Sequence, residues 1–245
     1  MQSDARSPRG APPAAYGRRV DDVTRTDYTG TGISEDELAP TPLQQVRRWV
    51  DEAVERSRAQ PDVPEPHALS VATVDADSMP DVRTVLMRVL DERGPGFYTG
   101  TTSTKGVHLA ANPQVAASLV WPAMFRAIRF RGRAELLERD LVEDYFTSRP
   151  WGSRISAWAS HQSQPAASRA ELQRAYDEAA ARWPDTGSHD DVPVPDFWGG
   201  YRIVCDEVEL WGGRRDRLHD RLVLTRVAEG SLEDAAAWSL HRRQP

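Results

Sequence analysis

Hydrophobic and polar positions change rhythm several times along this chain. From Pro42, the apolar residues Leu43, Val46, Trp49, Val50, Ala53 and Val54 recur at helical spacing, with Arg47, Arg48, Asp51 and Glu52 between them. That pattern predicts an amphipathic helix, which Pro61, Pro64 and Pro66 bring to an end. Short β-branched runs follow at 68–74, 82–90, 96–99 and 114–121, with turns at 75–80 and 91–95. In 126–133, Ile128 and Phe130 alternate with Arg129, Arg131 and Arg133, the mark of a half-buried strand. Helical rhythm starts near 106 and returns at 139–148, 152–160 and about 166–182. A polar loop spans 186–196, and strands are expected at 200–211, 218–226 and 235–241.

The order is helix, β-block, helices, β-block, with no long linker. It predicts one α+β domain over 42–245, with a closed or nearly closed antiparallel barrel and flanking helices. Residues 1–41 are rich in Ser, Pro, Gly, Ala and Arg and lack an apolar period, so they read as a flexible N-terminal tail. The TGTGIS run at 29–34 is no dinucleotide fingerprint: Glu35 stands where the third glycine would be and no strand precedes it.

Composition narrows the class. The chain has 245 residues, 39% of them hydrophobic, enough to bury a real core. Mean hydropathy is −0.60. No apolar run approaches the roughly 18 residues a membrane helix needs, and no signal-type h-region opens the chain. Cys205 is the one cysteine, so an intrachain disulfide is impossible and a cytoplasmic setting fits. Net charge is −6, against a polyanion binder, so no nucleic-acid and no membrane partner is expected. Of 31 basic residues, only Lys105 is a lysine and the other 30 are arginine. Coding bias explains the arginines. The lone lysine is then either chance or a position where a compact point charge serves better than a planar fork.

Several segments could carry chemistry. Residues 97–106 run from a strand end through Thr99, Thr101, Thr102, Ser103 and Thr104 to Lys105 at a helix start, a recipe for holding phosphate. In 145–153, Tyr145 and Arg149 share a helix face, Pro150 ends that helix and Ser153 can cap the next. Phosphate binding and ordinary packing both fit. In 217–221, an extended strand would put Arg217, His219 and Arg221 on one face, around an anion or on a solvated edge. Arg83 and Arg88, five apart in a strand, would serve different groups or lie on the surface. His189-Asp190-Asp191 reads as a solvated loop and Cys205 as a core thiol.

Taken in order, these pieces resemble the pyridoxamine/pyridoxine 5′-phosphate oxidase family from about Tyr28 to Pro245. The resemblance rests on Arg83-Thr-Val-Leu-Met, Phe97-Tyr-Thr, Ser103-Thr-Lys, Asn112-Pro, Tyr145-Phe-Thr-Ser-Arg-Pro, Ser156-Ala-Trp-Ala-Ser-His-Gln-Ser, Phe197-Trp-Gly-Gly-Tyr-Arg, Val208-Glu-Leu-Trp and Arg217-Leu-His-Asp-Arg. It implies an FMN-binding split β-barrel, a homodimer with sites at the subunit interface, and oxidation of a phosphorylated B6 vitamer by O2 to pyridoxal 5′-phosphate and H2O2. The resemblance implies that Arg83 and Lys105 hold the FMN phosphate, with Thr104 beside them, and that Tyr98, Thr99, Gln162, Ser163, Trp211 and Arg221 line the flavin. It implies that Arg88, which also counts among the FMN-binding residues, holds the substrate phosphate with Tyr145, Arg149 and Ser153, and that Arg217 and His219 cover the reacting ring as the catalytic pair. Three positions depart from the family pattern. Arg88 replaces a usual lysine, Thr104 a usual arginine, and Ala127 a common glutamine. These departures keep two other readings in view: a related phenazine-type FMN oxidase, and a non-catalytic flavin- or vitamer-binding module.

Overall fold

The computed structural model describes residues 27–245. Helix α1 (Pro42–Ala59) starts where Thr41 Oγ1 accepts the Gln44 N–H at 3.3 Å and Pro42 supplies a preset φ. It buries Leu43, Val46, Trp49, Val50 and Ala53, as its spacing predicts. Each large apolar side chain of that face contributes roughly 1.5–3 kcal/mol on burial.

The strands are β1 (Ala68–Val74), β2 (Pro80–Leu86), β3 (Val89–Asp91), β4 (Gly94–Gly100), β5 (Gln114–Trp121), β6 (Arg126–Leu136), β7 (Trp198–Gly212), β8 (Asp220–Arg226) and β9 (Trp238–Arg242). The helices besides α1 are α2 (Thr104–Ala111), α3 (Arg139–Ser148), α4 (Trp151–Ala159) and α5 (Arg169–Arg182). All pairings are antiparallel, in the order β2-β1-β5-β6-β7-β4-β3, with β8 on β7 and β9 on β8. The expected class, an antiparallel split barrel with flanking helices, is the one observed.

The split arises in β7. Its first part, Trp198–Arg202, pairs with β4, and its second, Glu207–Gly212, pairs with β8, while β6 runs beside both. A bulge opposite Arg131/Gly132 leaves Asp206 unpaired with β6. The extra residue flips the alternation: Ile203 and Cys205 point inward before it, Val208 and Leu210 after it. Glu207, Glu209 and Trp211 therefore share the opposite face. Cys205 is fully buried, and burial pushes its thiol up to about 12, as a core role requires.

Three expectations change. The strand expected over 82–90 is broken at Met87–Arg88. The Met87 N–H donates to His67 O, and the Arg88 N–H to Gly96 O, both at 2.9 Å, so the chain leaves β1 and joins β4. One straight strand cannot serve both neighbours. Of the tail expected over 1–41, residues 1–26 lie outside the described residues. Its remainder is exposed or half-buried except at one anchor: Ile33 is buried and its N–H donates to Asp220 Oδ2 at 3.0 Å. Gly32 (φ +76°) permits that approach, since a Cβ there would lie 1.9 Å from the same oxygen. Finally, Asp191 is not solvated. Its side chain is 3% exposed and pairs with Arg154 at 2.8 Å, while Arg154 also donates to the Ser188 and His189 carbonyls. This buried clamp ties the 184–197 loop to α4.

Two hydrophobic clusters result. The larger lies between α1 and the sheet, around Trp49, Leu69, Phe97, Leu119, Ile128 and Leu210. The smaller joins α3, α4 and α5 to β7 through Val142, Phe146, Ile155, Ala179 and Trp198.

Candidate active site

The turn from β4 into α2 builds the first part of the site. Gly106 packs so closely on the Thr101 carbonyl that a Cβ would lie 2.0 Å from its oxygen. This tight start turns Lys105 inward, leaving it 5% exposed. Its Nζ donates to Thr99 Oγ1 at 3.0 Å and Ser103 Oγ at 3.1 Å. Thr99 Oγ1 in turn donates to Gln162 Oε1 at 2.8 Å, and the Gly100 N–H reaches the same oxygen at 3.1 Å. Among the described residues, no carboxylate forms an ion pair with Lys105. Burial, and then the nearby Arg83 guanidinium, pull its ammonium down to about 8. Arg83 is itself held by Thr73 Oγ1 at 2.7 Å, Val71 O at 3.1 Å and Asp81 at 2.5 Å. A buried ammonium among neutral hydroxyls, repelled by a second cation, fits a phosphate.

An aromatic wall forms the second part. Tyr98 stacks on Tyr145 at 4.0 Å between ring centroids and lies parallel to Trp198 at 5.5 Å. The Arg149 guanidinium sits 5.0 Å over the Trp198 ring and 5.7 Å from that of Phe146. Its Nη1 is buried without a hydrogen-bond partner, and burial lowers its pKa. An unpartnered buried guanidinium nitrogen is costly unless an anion meets it. Arg88, Tyr98, Thr99, Tyr145, Arg149 and Gln162 line one cavity of about 660 Å³, with Lys105 behind Thr99. The break between β2 and β3 is what brings Arg88 there. Ser153, half-buried in the first turn of α4, does not line the cavity, nor do Thr104 and Ser163, which are exposed.

A second cluster forms elsewhere on the chain. His219 lies 4.7 Å from Trp211 between ring centroids, and Tyr28 packs edge-on against both. The His219 Nδ1 accepts the Arg214 N–H at 3.1 Å, which leaves the ring proton on Nε2. Burial, and then Arg217, hold its pKa below the ordinary imidazole value. The strand expected across 217–221 is absent. Asp216 (φ 58°) and Arg217 (φ 61°) form a left-handed turn, and β8 begins only at Asp220. Arg217, His219 and Arg221 therefore do not share a strand face. Asp220 is buried, accepting from the Ile33 N–H and from Arg214 and Arg242. Arg221 pairs side-on with Glu209 at 2.9 and 3.0 Å. Trp211, Arg217, His219 and Arg221 do not line the 660 Å³ cavity.

Sequence reasoning assigned no role to Trp198 or Glu209. Trp198 is marked in the sequence only as part of Phe197-Trp-Gly-Gly-Tyr-Arg, with no role attached. Glu209 carried a clearer signal, an acid two residues before Trp211 and hence on its face.

A family model described as "Pyridoxamine 5'-phosphate oxidase" matches residues 56–182. A second, "Pyridoxine 5'-phosphate oxidase C-terminal dimerisation region", matches residues 198–245. A protein of Kineococcus radiotolerans named pyridoxine/pyridoxamine 5′-phosphate oxidase is 47% identical over 223 residues, covering 90% of this chain and 97% of that protein. One of the same name from Streptomyces avermitilis is 43% identical over 221 residues, covering 90% and 94%. Among solved structures, PhzG from Burkholderia lata, in complex with tetrahydrophenazine-1-carboxylic acid, superposes with a TM-score of 0.72 at 28% identity, covering 86% of this chain and 95% of PhzG. A pyridoxamine 5′-phosphate oxidase-related, FMN-binding protein of Nostoc punctiforme shares the fold with a TM-score of 0.63 at 17% identity, covering 81% and 97%. Among the described residues, no helix is long and apolar enough to cross a membrane.

Proposed function

The chain belongs to the pyridoxamine 5′-phosphate oxidase family, and on that premise we propose that it is an FMN-dependent oxidase of pyridoxamine or pyridoxine 5′-phosphate. The observation that carries the substrate side is the buried, unpartnered Arg149 Nη1 beside the Tyr98–Tyr145–Trp198 stack. A cationic anchor next to flat aromatic rings suits a phosphorylated aromatic ring. The FMN side rests on Lys105 and Arg83, whose mutual repulsion an anion would relieve. FMN, when bound, supplies a two-electron acceptor that O2 can reoxidise.

This chain's residues do the positioning. Lys105 and Arg83 hold the cofactor phosphate, and Tyr98, Thr99 and Gln162 border the flavin. Arg149, Tyr145 and Arg88 hold the substrate phosphate, and two fixed phosphates set the distance between the reacting rings. The Trp211, Arg217, His219 and Arg221 cluster of a second copy completes the site, as expected of a homodimer joined through residues 198–245. Arg217 and His219 then cover the substrate ring.

The test is direct. Purified protein supplied with FMN and pyridoxine 5′-phosphate in air should form pyridoxal 5′-phosphate and hydrogen peroxide in equal amounts. A phenazine-type oxidase is the second reading, favoured by the likeness to PhzG. Turnover of a reduced tricyclic carboxylate, but not of either B6 phosphate, would select it. Ligand binding without oxygen consumption would leave only a binding module.

A further inference from the structure

One face of β6, β7 and β8 carries a row of aligned positions: Ala127 is opposite Trp211, which is opposite Arg221. Beside that row lies Glu209, whose side chain is only 5% exposed. Its carboxylate accepts from Arg129 Nη2 at 2.5 Å, from Arg243 Nη1 at 3.1 Å, and from Arg221 Nε and Nη2 at 2.9 and 3.0 Å. The Arg221 Nη1 donates to the Gln244 carbonyl at 3.1 Å, and the Arg243 N–H to the Arg221 carbonyl at 2.9 Å. Arg221 is thus gripped along one edge by a carboxylate and at its far end by backbone.

We propose that Glu209, locked in place by Arg129 and Arg243, is the positioning residue that orients Arg221 toward the flavin. The inference rests on the reading above that Arg221 serves the flavin pocket. A lone carboxylate would orient Arg221 but also cancel its charge. Here Glu207 and Glu209 meet four guanidiniums, since Arg129 and Arg243 bridge both carboxylates and Arg131 stands 4.0 Å from Glu207. The cluster keeps a net positive charge, so Arg221 is aimed without being neutralised. The side-on grip uses Nε and Nη2, a geometry that lysine cannot reproduce. Arg243 closes the arrangement by joining the segment after β9 to β7 and β8.

The experiment is a thermodynamic cycle on cofactor binding to the apo-protein, read by quenching of FMN fluorescence. Arg221→Ala, Glu209→Gln, Arg243→Leu and Arg243→Lys are compared with the two double variants that combine Arg221→Ala with Glu209→Gln or Arg243→Leu. Thermal melting and size-exclusion chromatography run alongside. Glu209→Gln should weaken FMN binding about tenfold, within the coupling range of residues in one hydrogen-bond network. Arg243→Leu should weaken it less, and Arg243→Lys should restore part of the loss. Adding either change to Arg221→Ala should cost nothing further, so both double variants should bind FMN as weakly as Arg221→Ala alone. Additive losses, or wild-type affinity in Glu209→Gln while Arg221→Ala binds weakly, would overturn the proposal and leave the oxidase reading standing. Wild-type affinity in Arg221→Ala would remove Arg221 from the flavin pocket and the proposal with it. If Glu209→Gln fails to fold, the cycle through the more exposed Arg243 decides alone.

Discussion

Lys105 shows how one residue's environment sets a measurable behaviour. Its ammonium, buried beside Arg83, titrates near 8 rather than at its ordinary value of 10.5. Between those values the unfolded chain binds more protons than the folded one, so this group makes the apo-protein more stable as pH rises from about 8 to 10.5. The FMN phosphate needs the charged form. Affinity should rise as the phosphate loses its second proton near about pH 6, hold up to pH 8, and fall above it as the lysine deprotonates. Calorimetry in buffers of different ionisation enthalpy should show proton uptake on binding near pH 8. Lys105→Ala should abolish that uptake and weaken FMN binding by more than it raises the substrate KM. A different residue-scale effect belongs to Arg154 and Asp191. Both are nearly inaccessible, so Asp191→Asn or Arg154→Met strands a buried charge and should cost about 3–5 kcal/mol of stability by denaturant melts.

At the scale of elements, the helices and most strands follow from period alone. α1 occupies the segment its spacing marks, and β6 points Ile128 and Phe130 inward as its alternation demands. Three elements do not follow from it. Residues 82–90 divide because β1 and β4 draw the chain to different edges. Residues 215–219 turn through a left-handed Asp216 and Arg217, although their alternation reads as a strand. β7 carries a bulge that reverses which side chains face the core. Local pattern cannot report such breaks, because each is imposed by a distant partner. The packing of residues 28–34 is of the same kind. Gly32→Ala would drive a Cβ into Asp220, so this variant should lose the Ile33–Asp220 hydrogen bond. Its measured sign is faster hydrogen exchange across residues 28–35, with α1 unchanged.

At the scale of the whole molecule, Ser153, Thr104 and Ser163 aside, the expected site residues gather in two places that do not share a cavity within one chain. If a two-fold dimer joins one group from each copy, subunits with complementary defects should rescue each other. Lys105→Ala and Arg221→Ala proteins, unfolded and refolded together in equal amounts, should regain about a quarter of wild-type activity, because half the dimers are mixed and each mixed dimer holds one intact site of two. Activity no higher than that of the parents would place all the site residues in one chain.

The α+β class, the amphipathic α1, the inward face of β6 and the family are written in the sequence, because these rest on short-range periodicity and on motifs read in order. The sequence also marks the lone lysine and the Tyr145–Arg149 pair. Long-range folding alone sets where Arg88 comes to lie, that Asp191 is a buried partner of Arg154, and that Arg217 and His219 sit in a turn rather than a strand. It alone gathers Arg129, Arg221 and Arg243 around Glu209. Each of these depends on residues far apart along the chain meeting across a strand pair or a loop, and the energy of such meetings is not written in the spacing of any one segment.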